Sequence, residues 1–235
     1  MNQNIRVCAS MGLIATMVMF TAIWPCWQML PPLSPMLSPA EVAQHLRDHR
    51  SGILIGGVLI TLSGSLFFMF LGGIYACTKR MEGPGAPLTN GAIMVTGFGF
   101  FPLFMLAAFL IEAVYRPELS DDTMRLLFDL AMWMLVFPAM PALLMYGAIG
   151  YATLTDRNAT PIFPRWLGFT NLWVAVLSLG GAIIPFFKQG PFAWNGLIAF
   201  WIPAVLFGVW AALMTWAVWR AAEHPALQLP GRTSA

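Results

Sequence analysis

Six long apolar segments limit what this chain can fold into. A helix needs about 20 consecutive apolar residues to cross roughly 30 Å of hydrocarbon, and each of the six segments reaches that length. They comprise residues 8–30, 53–77, 91–114, 127–153, 166–187 and 195–220. Only short polar segments separate them, so little of the chain remains for a separate soluble domain.

These segments predict an all-α fold, a polytopic transmembrane helical bundle of about six spans that forms a single integral-membrane domain over residues 1–235. Hydrophobic residues make up 59% of the chain, compared with roughly 45–50% in soluble domains. The sequence lacks the alternation of apolar and polar residues that marks the strands of a membrane barrel. We interpret the first segment as a retained span rather than a signal peptide, because it is long and is followed by Pro31 and Pro32.

The positions of lysine and arginine predict how the bundle is oriented. An even number of spans places both termini on one side, which carries Arg6, Lys79, Arg80, Arg157, Arg165, Arg220 and Arg232, against Arg47, Arg50, Arg116, Arg125 and Lys188 opposite. The more basic side is expected to face the cytoplasm. The formal net charge of +2 is too small to indicate a nucleic-acid partner, and membrane lipids are the expected surroundings.

One polar segment, "SPAEVAQHLRDHRSG", separates the first two apolar runs. Ser38, Pro39 and Glu41 have the spacing of a helix N-cap, a proline in the first turn and a capping-box glutamate. We expect a short helix that stops at Ser51–Gly52. Its Val42 and Leu46 share one face, which predicts an amphipathic helix on the outer side of the bundle or bilayer.

The two histidines of this segment are weak candidates for a metal site. His45 follows Glu41 by four residues, and His49 follows His45 by four, a spacing at which neighbouring histidines can share zinc. Glu41 and His49 lie about 12 Å apart along a straight helix, so the three cannot bind one ion. We predict no metal here; the segment is interpreted as a solvated connector, with a pH-sensitive contact as an alternative.

Two acidic residues near the ends of spans are candidates for catalysis or binding. Glu112 precedes Arg116 by four residues, and Asp129 follows Arg125 by four, so each acid can pair with its own arginine on a helix. We interpret both as ion pairs near the membrane surface. The alternative is that Glu112 and Asp129 form a catalytic acid and base, with Arg116 and Arg125 as binding groups.

Prolines within the apolar runs predict kinked helices. Pro138 and Pro141 in "VFPAMPALL" are candidates for a break that lines a binding cavity, although packing alone is the commoner role of such prolines. No cofactor is expected, because neither lysine lies deep in a span to form a Schiff base, and no nucleotide-binding or hydrolase motif is present.

Two phrases in the last third of the chain carry a resemblance. "FPRWLGFTNLW", residues 163–173, and "FFKQGPFAWNG", residues 186–196, resemble a group of uncharacterised bacterial six-span inner-membrane proteins. The polar helix after the first span and the "RMEGP" loop extend the similarity over most of the chain. The resemblance implies this architecture in a bacterial inner membrane, and it supplies no activity or catalytic residue.

Three functions remain open at this stage. The first is a non-catalytic membrane component that binds a partner membrane protein or a lipid-like, apolar small molecule. The second is a small integral-membrane enzyme, such as an isomerase, hydratase or cyclase, with Glu112 and Asp129 as acid and base. The third, weaker alternative is a transporter, for which an inverted repeat would be expected.

Overall fold

The computed structural model describes residues 3–228, and within them the chain is helical with no strand. Six helical segments are long and apolar enough to cross a membrane, which confirms the predicted fold class. We number them spans 1 to 6, in chain order Gln3–Cys26, Arg50–Glu82, Pro87–Tyr115, Asp121–Leu154, Arg165–Phe186 and Gly190–Ala221. Arg232, which contributes to the predicted charge asymmetry, lies outside the described residues.

Four of these spans are not continuous α-helices. Span 1 consists of α1 (Gln3–Thr21) and a π-helical turn, Ala22–Cys26, whereas spans 2 and 3 are the single helices α3 (Arg50–Glu82) and α4 (Pro87–Tyr115). The second half of the chain is more broken. Span 4 comprises α5 (Asp121–Val136) and α6 (Ala139–Leu154), span 5 comprises α7 (Arg165–Ser178) and a 3₁₀ segment (Leu179–Phe186), and span 6 contains a π-helical turn (Leu197–Trp201) before α8 (Ile202–Ala221).

Several spans extend beyond the apolar runs that predict them. Residues 53–77 predict span 2, but α3 runs from Arg50 to Glu82. Its 33 residues correspond to about 50 Å at 1.5 Å per residue, compared with about 40–45 Å for a bilayer that includes its headgroups. The helix therefore continues through the charged residues at its ends, which hydropathy alone does not assign to a span.

Close contact between spans 1 and 2 depends on two glycines of α3. The Trp27 indole lies against Gly56, where an added Cβ would collide with Nε1, and this nitrogen donates to the carbonyl of Ile53 at 3.2 Å. At Gly52 an added Cβ would collide with the Cys26 carbonyl oxygen. The absence of side chains thus allows the end of span 1 to pack directly on the α3 backbone.

The predicted polar helix is α2, Pro39–Asp48, and it begins with the expected capping box. Ser38 donates through its backbone nitrogen to Glu41 Oε2 at 2.7 Å, and the Glu41 nitrogen donates back to the Ser38 hydroxyl at 3.3 Å. Val42, Ala43 and Leu46 are buried. An ion pair at 2.7 Å between Arg47 and Asp121 connects α2 to α5.

The expected end of this helix at Ser51–Gly52 is wrong. The chain breaks at His49, which has φ −106° and ψ 18°, and α3 begins at the next residue. Ser51 and Gly52 therefore belong to span 2. Gly52 is explained by its contact with the Cys26 carbonyl rather than by termination of α2.

Candidate functional site

An apolar cavity of about 210 Å³ lies inside the bundle. The described lining residues come from spans 1, 3, 4, 5 and 6, and most of them are aliphatic or aromatic. Leu177 of span 5 lines the cavity and is 42% exposed. The cavity itself is partly open to the surface of the bundle.

The breaks in spans 4, 5 and 6 all lie at this cavity. Pro138 and Ala139 line it where α5 gives way to α6, Gly181 lies in the 3₁₀ segment of span 5, and Phe200 lies in the π-helical turn of span 6. Pro141 of α6 also lines the cavity. Irregular backbone at membrane depth is tolerated where protein or a cavity surrounds it, which accounts for three broken spans in one place.

Aromatic rings form one wall of the cavity. Phe100 of α4 stacks on Phe67 of α3, with ring centroids 4.9 Å apart, and Phe207 of α8 meets Phe67 edge-on at 5.4 Å. Phe100 and Phe207 line the cavity, and Phe67, which is fully buried, packs behind them. Interlocked rings of this kind make a wall of well-defined shape.

A buried polar group of span 5 lies behind this wall rather than in the cavity lining. Asn171 is fully buried, and its Oδ1 accepts a hydrogen bond at 2.9 Å from Nε1 of Trp210 in span 6. Its amide nitrogen donates to the Leu167 carbonyl at 2.9 Å. Trp210 in turn meets the ring of Tyr146 edge-on, with centroids 5.0 Å apart. These side-chain contacts, from Asn171 to Trp210 and from Trp210 to Tyr146, therefore link spans 5, 6 and 4.

Tyr146 brings a hydroxyl to the cavity. The residue is 4% exposed and lines the cavity. Its hydroxyl makes no hydrogen bond to residues 3–228, and it is not among their fully buried unpaired side-chain atoms, so it keeps some accessible surface. The other lining hydroxyls are already engaged, because Thr96 donates to the Ala92 carbonyl at 2.6 Å and Ser178 donates to the Val174 carbonyl at 2.8 Å. Tyr146 thus supplies the available side-chain hydrogen-bond donor of the described wall.

The two candidate acids lie outside the cavity lining. Glu112 pairs with Arg116 at 3.4 Å, and Asp129 pairs with Arg125 at 3.7 Å, as expected from their spacing. Among residues 3–228, no ion pair or hydrogen bond joins Glu112 to Asp129. The structure therefore places Pro138 and Pro141 at the cavity and leaves both acids and both arginines away from it.

His45 and His49 stack on each other at the end of α2, with ring centroids 4.3 Å apart. His45 Nε2 contacts the Trp27 carbonyl at 3.0 Å, and His49 Nδ1 contacts the His45 carbonyl at 2.8 Å. Burial lowers the pKa of His45. Over the described part of the chain, no group of three or more His, Cys, Asp or Glu side chains is arranged to hold a metal ion.

Sequence reasoning missed Tyr146, Trp210 and Asn171. Asn171 carried a usable signal, because an amide side chain inside an apolar run needs a partner at membrane depth. Trp210 supplies the indole N–H that pairs with this amide. The two residues lie far apart in the sequence, so no local pattern indicates that they pair. Tyr146 carried no distinguishing signal, since Tyr151 lies on the same helix with the same side chain and is 54% exposed.

The fold and the cavity together define the class of this chain as a multi-pass helical membrane protein. Comparison with protein-family models, with curated proteins and with solved structures finds no match to it.

Proposed function

We propose that the protein is a non-catalytic component of a bacterial inner membrane that binds a lipid-like molecule inside its bundle, with both termini in the cytoplasm. The observation that carries the binding proposal is the apolar cavity of about 210 Å³ among the broken spans. Concave, mostly apolar sites with few polar groups are typical of small-molecule binding. The charge asymmetry and the resemblance in sequence support the location and the orientation.

The arrangement of titratable groups favours binding over catalysis. An isomerase, hydratase or cyclase needs an acid or base within hydrogen-bonding reach of its substrate. Glu112 and Asp129 do not line the cavity, and each is paired with an arginine on its own helix. A substrate held in the cavity would therefore lie apart from the candidate acid and base.

Filling the cavity tests the proposal. Ala204 lines the cavity, whereas its neighbour Val205 is 61% exposed, so Ala204→Phe adds aromatic bulk inside the cavity and Val205→Phe adds it on the exposed surface of the same helix. Binding of n-decylbenzene to the full chain in detergent micelles is measured by calorimetry. We expect binding by the wild type and by Val205→Phe, and an affinity at least about tenfold weaker for Ala204→Phe.

Thermal unfolding checks that the variants are folded, and Ala142→Leu provides a smaller addition to the cavity wall on span 4. A folded Ala204→Phe or Ala142→Leu variant that binds as tightly as the wild type would contradict the proposal. Failure of the wild type to bind any apolar probe would do the same.

A further inference from the structure

We propose that the Tyr146 hydroxyl selects the ligand of this cavity, and that the ligand is a neutral lipid whose compact head, the size of a single ring, carries a carbonyl oxygen. An isoprenoid quinone has this chemistry. The inference rests on the proposed function, because it assigns the class of molecule that the cavity holds.

The size of the cavity limits what enters it. An engineered apolar cavity of about 150 Å³ holds one benzene molecule, so about 210 Å³ holds one substituted ring rather than a whole lipid. The remainder of a long molecule must leave the cavity. Leu177, at 42% exposure, marks a part of the wall where a tail reaches the surface of the bundle.

The polar chemistry of the wall selects the head. Tyr146 lacks a hydrogen-bond partner among the described residues, and at 4% exposure it is shielded from bulk water. A phenolic hydroxyl donates well to a carbonyl oxygen, and an unmade hydrogen bond in such surroundings is costly. Thr96 and Ser178 already donate to backbone carbonyls. A ligand with one hydrogen-bond acceptor therefore accepts from the Tyr146 hydroxyl, whereas a pure hydrocarbon leaves this donor without a partner.

The charge of the wall excludes other lipids. The described residues that line the cavity include no Asp, Glu, Lys, Arg or His. A fatty-acid carboxylate or a phosphate would enter without a compensating cation, and burial of an unpaired charge is strongly unfavourable. An anionic head is therefore disfavoured inside the cavity, and a neutral head that carries a carbonyl is accepted.

The position of the hydroxyl is fixed before a ligand binds. The Tyr146 ring packs edge-on against Trp210 at 5.0 Å, and Trp210 is held by its hydrogen bond to the fully buried Asn171. Phe100 and Phe207 offer aromatic rings in the same cavity. A preorganised donor beside aromatic rings suits a flat, carbonyl-bearing head.

The test compares four probes on the full chain in detergent micelles by calorimetry: decyl-ubiquinone, dioctanoylglycerol, n-decylbenzene and oleate at pH 8. Tyr146→Phe removes the hydroxyl and keeps the ring. Tyr151→Phe makes the same change on an exposed part of the same helix. We expect Tyr146→Phe to weaken quinone binding about three- to tenfold, the effect of one hydrogen bond, with decylbenzene binding unchanged and Tyr151→Phe like the wild type.

The two neutral carbonyl probes distinguish the source of the head. Tighter binding of the quinone supports a ligand whose carbonyl is part of a ring. Tighter binding of the glyceride, if it also depends on Tyr146, supports a neutral ligand whose carbonyl belongs to an ester.

Quinone binding that is insensitive to Tyr146→Phe, or oleate binding equal to that of the quinone, would overturn the inference. If decylbenzene still binds and is excluded by Ala204→Phe, the proposed function survives that result. If Tyr146→Phe does not fold, the wild-type protein alone provides the test. Equal affinities of the wild type for decylbenzene and for the quinone would overturn the inference.

Discussion

The Trp210 indole nitrogen donates to Oδ1 of Asn171 at 2.9 Å, and this hydrogen bond joins spans 5 and 6 behind the cavity. Asn171 is 0% exposed and Trp210 is 1% exposed, so water does not replace either partner when the other is removed. Each buried polar group depends on its partner.

We therefore expect Asn171→Leu to lower the free energy of unfolding by about 1–3 kcal/mol, because it strands the indole N–H. Thermal unfolding in detergent measures the loss. Thr170→Val is the control, since the Thr170 hydroxyl donates only to the Trp166 carbonyl of its own helix. In the double variant Asn171→Leu, Trp210→Phe the two losses should not add; full additivity would show that the pair is not coupled.

Neutralising the surface acids should have little effect. The Glu112 and Asp129 side chains are 50% and 33% exposed, and each pairs with an arginine one helical turn away. Glu112→Gln and Asp129→Asn should each cost no more than about 1 kcal/mol of stability. Thermal unfolding of both single variants and the double variant is the measurement. A clear gain in stability that fails to add in the double variant would show that the carboxyls interact, and would favour the enzyme over a binding protein.

Two glycines of α3 make a matched pair for testing the contact between spans 1 and 2. A Cβ at Gly56 would meet the Trp27 indole, whereas a Cβ at Gly72 would meet nothing within 4 Å. We expect Gly56→Ala to destabilise the protein by about 1–3 kcal/mol through overpacking. Gly72→Ala should leave it unchanged or slightly more stable, because alanine favours the helix. Equal melting temperatures for the two variants would contradict this account.

Mild acid should weaken the attachment of α2. Burial lowers the pKa of His45, so the folded state favours the neutral ring. The stabilisation is present above the ordinary imidazole pKa of about 6.5 and is lost as the pH falls through that value toward the lower folded pKa. Thermal stability should therefore decrease between about pH 7.5 and 5.5.

His45→Gln removes the titrating ring, so the same pH change should alter its stability less. This window lies above the range of Glu41, whose pKa is lowered by the hydrogen bond from the Ser38 backbone. The Glu41 cap should thus stay charged throughout. A pH profile of the variant that matches the wild type would assign the effect to another group.

The orientation is tested with reporter fusions. With both termini in the cytoplasm, a periplasm-specific reporter such as alkaline phosphatase should be inactive when fused at Ala235 or inserted at Gly85, in the turn between spans 2 and 3. Insertion near Lys188, between the 3₁₀ segment and Gly190, should give an active enzyme. The reverse pattern would invert the proposed topology.

Local signals in the sequence predicted local structure well. Ser38 and Glu41 form the expected capping box, and Glu112 forms the expected ion pair with Arg116. Each of these features depends on residues within one turn of the chain. The end of α2 was predicted at Ser51–Gly52 rather than at His49. Gly52 is instead required by its contact with the distant Cys26 carbonyl, and no local pattern reveals such a contact.

The cavity is a property of the whole bundle. Pro138 and Pro141 indicated an irregular fourth span, but whether the irregularity borders a cavity depends on how five spans meet. Tyr146 and Tyr151 lie on one apolar helix, and only the packing of its neighbours buries the first at 4% and exposes the second at 54%. Residues of this kind become identifiable once the spans are arranged in space.

The broken backbone of spans 5 and 6 has a consequence for hydrogen exchange. A continuous transmembrane helix exchanges its amide hydrogens first at its two ends, where the i→i−4 ladder is incomplete. Here Leu179–Phe186 is 3₁₀ and Leu197–Trp201 is π-helical, and 3₁₀ hydrogen bonds have poorer geometry. Deuterium should thus reach further into these spans than the terminal turn of a regular helix allows, as far as the residues beside the cavity, and a bound ligand should slow its entry there.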